Sequence, residues 1–283
     1  MTRFIVVPQW QGSSSSRAMQ LVDGAGAIAG DLPRARSTVV EVPLEAGESL
    51  DSGIRRFSAL HQTSGLQLDA LTSVGVSDGP VVTIGGDAGV ATTSALWTAG
   101  ATRGAVDPGV VVLWLSAHAG LHDPESSPTG AFDTMAARAV VDATVPRVAD
   151  ALPHSALLSA GRLILAGVRL TDDAEQDAAE RLGVRIVSAD ELTPAALAAA
   201  VRDAGASGVF VHVDLDVLDP SALSGLSDPV PFGVDVATLT ASIAAVRAVA
   251  PLVGGAITEF SPASPDAAVD DLGAILRIIG ALA

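Results

Sequence analysis

Leu113-Trp114-Leu115-Ser116-Ala117-His118-Ala119-Gly120 and Val213-Asp214-Leu215-Asp216-Val217-Leu218-Asp219-Pro220 have the same construction. Each is an apolar run that ends in polar side chains spaced one residue apart. Strand alternation puts Ser116, His118 and Gly120 on one face, and Asp214 and Asp216 on one face. In an open α/β sheet, ligands bind beyond the carboxyl ends of the strands. A His and two Asp residues arriving there form a metal-site layout. The first stretch is the poorer of the two, since Ser116 and Gly120 stand where further ligands would help.

Outward from these runs, strand-like and helix-like stretches alternate along all 283 residues. Strands are expected at Phe4–Pro8, Thr38–Val42, Val81–Ile84, Val110–Leu115, Leu163–Ala166, Val184–Val187, Gly208–Val213 and Leu252–Ile257. Helices are expected near Ser52–Val74, Ala91–Thr102, Ala131–Val141, Asp172–Leu182, Pro194–Ala204, Val234–Val249 and Pro265–Leu282. Runs that are apolar throughout, rather than alternating, indicate a parallel sheet covered on both faces. The expectation is one three-layer α/β domain over residues 1–283. Four strand ends carry polar clusters that can meet at one edge of the sheet. These are Gly85-Gly86-Asp87-Ala88, Ser116 to Asp123, His212 to Asp216, and Thr258-Glu259-Phe260.

Composition narrows the chemistry. Cysteine is absent and all 16 basic residues are Arg, which excludes thiolate ligands, disulfides, a Cys nucleophile and lysine Schiff bases. A net charge of −16 argues against nucleic acid and anionic membranes as partners, and suits a small cationic molecule or a metal ion. No apolar run is long enough to span a bilayer, and a cytoplasmic location is expected. Ser13–Ser16 reads as a flexible loop near the site mouth. It lacks the glycine elbow of a serine hydrolase.

Taken together, the four clusters resemble the ureohydrolase superfamily of arginases, agmatinases and formimidoylglutamases. The family carries Gly-Gly-Asp-His, then Asp-x-His-x-Asp, then Asp-x-Asp-x-x-Asp-Pro, then a Glu closely followed by Pro. The last two are intact here as Asp214 to Pro220 and Glu259-Phe260-Ser261-Pro262. Gly167-Val168-Arg169, Leu182-Gly183-Val184-Arg185 and Asp228-Pro229-Val230-Pro231 are softer matches. The resemblance implies a three-layer α/β/α fold with a mostly parallel eight-stranded sheet, assembled as a homo-oligomer, trimeric or hexameric. It also implies two Mn²⁺ ions sharing a hydroxide that attacks a guanidinium or amidine carbon.

The family's six ligand positions fall on Ala88, Ser116, His118, Gly120, Asp214 and Asp216, so three of six lack a ligand. One metal position keeps only Asp214; the other keeps His118, Asp214 and Asp216. The resemblance therefore implies at most one divalent ion, Mn²⁺ or Zn²⁺, or none. It places the family's substrate-carboxylate Asn at Ala131 and its proton-shuttle His at Asp133. Asp172 falls where arginases bind the α-amino group, Glu259 where the guanidinium is gripped, and Asp228 in the substrate loop. Two functions follow. One is an inactive or binding homologue; the other is a mononuclear hydrolase of a C–N bond, with His118, Asp214 and Asp216 on the ion and Asp133, His122 or Glu259 handling protons.

Each candidate also has a plainer reading. His118, Asp214 and Asp216 can be hydrogen-bonded residues of a metal-free pocket, in which case one of the Asp pair should hold its proton. His212 is a replacement ligand or a core histidine, the latter favoured. His122 and Asp123 lend a ligand or base, or form a solvated loop pair. Asp87 reads as a structural acceptor of backbone N–H groups where the next helix begins. His61 and His154 have no partner suggested by spacing.

Overall fold

The computed structural model describes residues 1–75, 79–103, 106–150, 152 and 157–283, so His154 lies outside the described residues. Eight strands form one sheet: β1 (Arg3–Val7), β2 (Ser37–Val39), β3 (Val81–Gly85), β4 (Val110–Leu115), β5 (Leu163–Val168), β6 (Arg185–Ser188), β7 (Gly208–Asp214) and β8 (Leu252–Thr258). Every pairing is parallel and the spatial order is β2-β1-β3-β8-β7-β4-β5-β6. β3, β4, β5 and β7 are buried at every residue, as continuous apolar runs require in a sheet covered on both faces. The edge strands β2 and β6 are the exposed ones.

Among the described residues, seven helices cover the two faces: α1 (Gln20–Gly30), α2 (Phe57–Val74), α3 (Gly89–Thr98), α4 (Asp173–Leu182), α5 (Pro194–Asp203), α6 (Val236–Arg247) and α7 (Pro265–Leu282). Leu60, Leu68, Val90 and Ala178 join one apolar layer, and Ile28, Leu197, Ile243 and Ile275 the other. Helix starts follow side-chain chemistry. Asp172, Thr193, Asp235 and Ser264 each accept a backbone N–H of the first turn. Gly183, at φ 72°, ends α4 in the left-handed conformation that glycine adopts without strain.

Two departures from the sequence reading have physical causes. Helix α1 was not expected, because Gly24, Gly26 and Gly30 depress helix propensity. It forms because Leu21, Ala25 and Ile28 are buried on one stripe, and a Cβ on Gly24 would collide with the Phe260 carbonyl. Conversely, the helix expected over Ala131–Val141 is two short 3₁₀ turns, Phe132–Met135 and Arg138–Val140. Arg138 donates to the Leu121 carbonyl and pairs with Asp123 and Asp142, both at 2.8 Å, which ties this segment to the loop before it. Among the described residues no helix is long and apolar enough to cross a membrane.

Candidate functional site

β3, β8, β7 and β4 are consecutive in the sheet, so the four polar clusters emerge side by side. Leu115 pairs with Val213, Asp214 with Thr258, and Ile84 with Ile257, which keeps the strand ends level. Above them lies a cleft of about 710 Å³, lined among others by Ser13–Ser16, His118, His122, Asp133, Asp172, Asp214, Asp216, Asp228 and Glu259. His118, His122, Asp133, Asp172, Asp214, Asp216, Asp228 and Glu259 thus face one space.

The floor is built by turns, not by the strands themselves. β4 ends at Leu115 and β7 at Asp214, while residues Leu215–Val217 form a 3₁₀ turn. Asp214 and Asp216 are therefore not alternate residues of one strand. Asp214 Oδ1 accepts the Asp216 N–H at 3.0 Å, and this cap swings Asp216 towards the β4 end. The Asp216 carboxylate then meets protein donors on each side. Ser116 Oγ donates to it at 3.0 and 3.2 Å, the Ala117 N–H at 2.9 Å and His118 Nδ1–H at 2.6 Å. His118 Nε2 faces Asp228 Oδ2 at 3.4 Å.

Burial works against a charged His118 ring, but the hydrogen bonds and charges of Asp216 and Asp228 overcome it and hold the His118 pKa up at about 10. Asp216 is correspondingly held below the usual carboxylate range, the His118 bond and charge outweighing its burial. Asp214 moves the other way. Burial, with the charges of Asp216 and Glu259 added, pushes its carboxyl well up. The two members of the Asp pair are thus pushed in opposite directions, Asp214 up and Asp216 down.

Glu259 closes the floor from β8. It occupies the left-handed region at φ 68°, a costly conformation for a residue with a Cβ. Its N–H donates to the Gly86 carbonyl at 2.8 Å, and its Oε1 accepts the Ala88 N–H at 3.0 Å. Burial, together with the charges of Asp133, Asp87 and Asp216, raises its pKa well above the usual. Asp87 is buried, is not among the residues that line the cleft, and accepts from Gln9 Nε2 and the N–H groups of Gly12 and Gly89. Burial still lifts it to about 7. Asp133 accepts from the N–H and hydroxyl of Ser14 and from the Thr134 N–H, at 2.6, 2.8 and 2.7 Å.

One wall carries a different group. His122, Asp172 and Glu175 bring one ligand-type atom each to within 4.8 Å of one another. Glu175 was missed in the sequence, although the Asp-x-x-Glu spacing at the start of α4 places both carboxylates at one helix end. Arg169 was noted only as part of a soft match. Its guanidinium holds the carbonyls of Asp216, Val230 and Pro231 at 2.7, 2.8 and 2.9 Å, clamping the loop of Asp228 to the floor.

Other candidates lie elsewhere. Asp123 is drawn off to Arg138 and to its own turn. His212 is a core residue: fully buried, bonded through Nε2 to Thr258 Oγ1 at 2.8 Å and set edge-on to Trp114. Burial drops its pKa to about 3, so it is neutral. His61, which spacing left unpartnered, meets Asp150 at 3.1 Å.

The profile of the Arginase family matches residues 39–276. The chain belongs to the arginase family. It is 30% identical over 176 residues to an N(omega)-hydroxy-L-arginine amidinohydrolase of Streptomyces lavendulae, covering 61% of this chain and 59% of that protein. It is 27% identical over 125 residues to an arginase of Bacillus caldovelox, 42% of each chain. These matches span only about half of each curated relative. Among solved structures, Entamoeba histolytica arginase in complex with L-ornithine superposes with a TM-score of 0.84 at 18% identity, covering 99% of this chain and 97% of that one. Formimidoylglutamase from Bacillus subtilis gives 0.69 at 16%, covering 99% and 86%. The arginase fold extends over the described residues, even where the sequences have drifted.

Proposed function

We propose that this arginase-family chain binds a small cationic molecule in its cleft and does not run two-manganese guanidine hydrolysis. The carrying observation is the Asp216 carboxylate, which is engaged by Ser116, Ala117 and His118. At the position where the resemblance expects a bridging Asp, Ser116 offers a neutral hydroxyl that donates rather than ligates. Two ligands of one Zn²⁺-sized ion stand about 3.3 Å apart, whereas His118 Nδ1 and Asp216 Oδ2 are 2.6 Å apart, a hydrogen-bond distance. With Ala88 and Gly120 at two further positions, the residues present do not fit the paired-ion centre. A cation is favoured because Asp133, Asp172, Glu175, Asp214, Asp216, Asp228 and Glu259 line the cleft, with Arg17 the only arginine among its lining residues.

The test is metal analysis of the full chain after dialysis against Mn²⁺, joined to a thermal-shift series with guanidinium and amidinium compounds. The expected result is fewer than two bound ions, and stabilisation by a cation at constant ionic strength. Two tightly held ions, or release of urea or ammonia from a guanidinium compound with Mn²⁺ present, would overturn the reading. Assembly as a trimer or hexamer belongs to the same reading and is checked by sedimentation.

A further inference from the structure

We infer that His122, Asp172 and Glu175 form a mononuclear divalent-metal site on the wall of the cleft, separate from the strand-end floor. Two ligands about 2.1 Å from a tetrahedral ion are about 3.4 Å apart. His122 Nε2 and Asp172 Oδ2 are 3.4 Å apart. One nitrogen and two carboxylate ligands suit Zn²⁺ or Mn²⁺. All three line the cleft, so a bound ion keeps open positions towards it.

Each ligand is oriented from behind, with one atom left over. Asp172 Oδ1 accepts the Glu175 N–H at 2.9 Å, which aims Oδ2 at the group. Glu175 Oε1 accepts the Leu121 N–H at 3.1 Å. Its Oε2 has no hydrogen-bond partner among the described residues, although Glu175 is only 7% exposed. His122 is 5% exposed; its Nδ1 lies 3.2 Å from Ser126 Oγ, and its Nε2 makes no hydrogen bond but stands within ion-pair reach of Asp172 Oδ2. With Nδ1–H donating to Ser126, the Nε2 lone pair looks at a carboxylate, an arrangement that a cation relieves. Neither carboxylate is paired with an arginine among the described residues.

The test strips the full chain with a chelator and measures Zn²⁺, then Mn²⁺, by equilibrium dialysis and metal analysis. One Zn²⁺ per chain is expected. His122→Ala and Glu175→Gln should abolish it, Ser126→Ala should weaken it about 10–100-fold, and His118→Ala should leave it unchanged. Glu175→Gln retains the Oε1 acceptor for Leu121, and circular dichroism verifies that each variant folds. No Zn²⁺ on the wild-type chain overturns the site, as does an ion lost with His118→Ala but kept with His122→Ala. Neither result touches the binding reading above, which falls to two ions, to hydrolysis or to a cation series that gives no stabilisation.

Discussion

The floor and the wall of one cleft hold the same residue types in opposite states. On the floor, the His118–Asp216 pair closes to 2.6 Å and the remaining acceptor capacity is filled by Ser116 and Ala117. On the wall, the His122–Asp172 pair stays at 3.4 Å and Glu175 keeps a free oxygen. A carboxylate beside a histidine is therefore not by itself a metal site. What matters is whether protein donors have already taken the valences that an ion would use.

The largest expected effect comes from breaking the floor. Asp216→Ala leaves a charged His118 and the donors of Ser116 and Ala117 without their acceptor, and should destabilise by about 3–5 kcal/mol in urea unfolding. A loss below about 1 kcal/mol would mean that these bonds do not hold the floor together.

Next, Ala88→His, Ser116→Asp and Gly120→Asp together should convert the floor into the family's paired-ion centre. Without metal this variant should lose about 1–3 kcal/mol, from apposed carboxylates and a side chain at φ 62°, where Asp is among the better tolerated residues. With Mn²⁺ it should bind two ions and recover stability. If it folds yet holds none, the strand-end correspondence is wrong.

Ser116→Ala should be milder, about 1–2 kcal/mol, because Asp216 keeps two of its donors. The pH dependence sharpens the same point. The His118 pKa is raised in the folded state, so its ion pair contributes fully below the ordinary histidine value and is lost as pH rises through about 10. The stability gap between wild type and His118→Gln should shrink over that window; a flat gap would break the assignment. On the wall, Asp172→Asn should change stability by no more than about 0.5 kcal/mol, since Asn also caps a helix, while lowering Zn²⁺ affinity. An equal loss of stability on both sides would erase the contrast.

Much of this architecture was legible in the residues. Continuous apolar runs such as Val110–Leu115 and Gly208–Val213 mark buried parallel strands because both faces of those strands need covering. Helix α1 was illegible because its glycines serve close packing against Phe260, a contact no local propensity records. The Ala131–Val141 stretch misled because its apolar spacing suits a helix, while Arg138 ties it down from outside. Glu175 stayed hidden because its meaning depends on Leu121 and His122, more than fifty residues away.

The sequence by itself determined the layer order, the eight parallel strands, the strand ends that carry polar groups, and the absence of a ligand at Ala88, Ser116 and Gly120. The first three follow from hydrophobic period and residue chemistry, which are local; the last is what the resemblance to the ureohydrolases implies. Only the tertiary structure decided which partners each polar group meets. It turned Ser116 and His118 onto Asp216, pushed the carboxyls of Asp214 and Asp216 in opposite directions, and left His122, Asp172 and Glu175 facing one another across the wall of the cleft. Hydrogen-bond geometry and desolvation depend on distances across the fold, and those distances are set by packing between strands far apart in the chain.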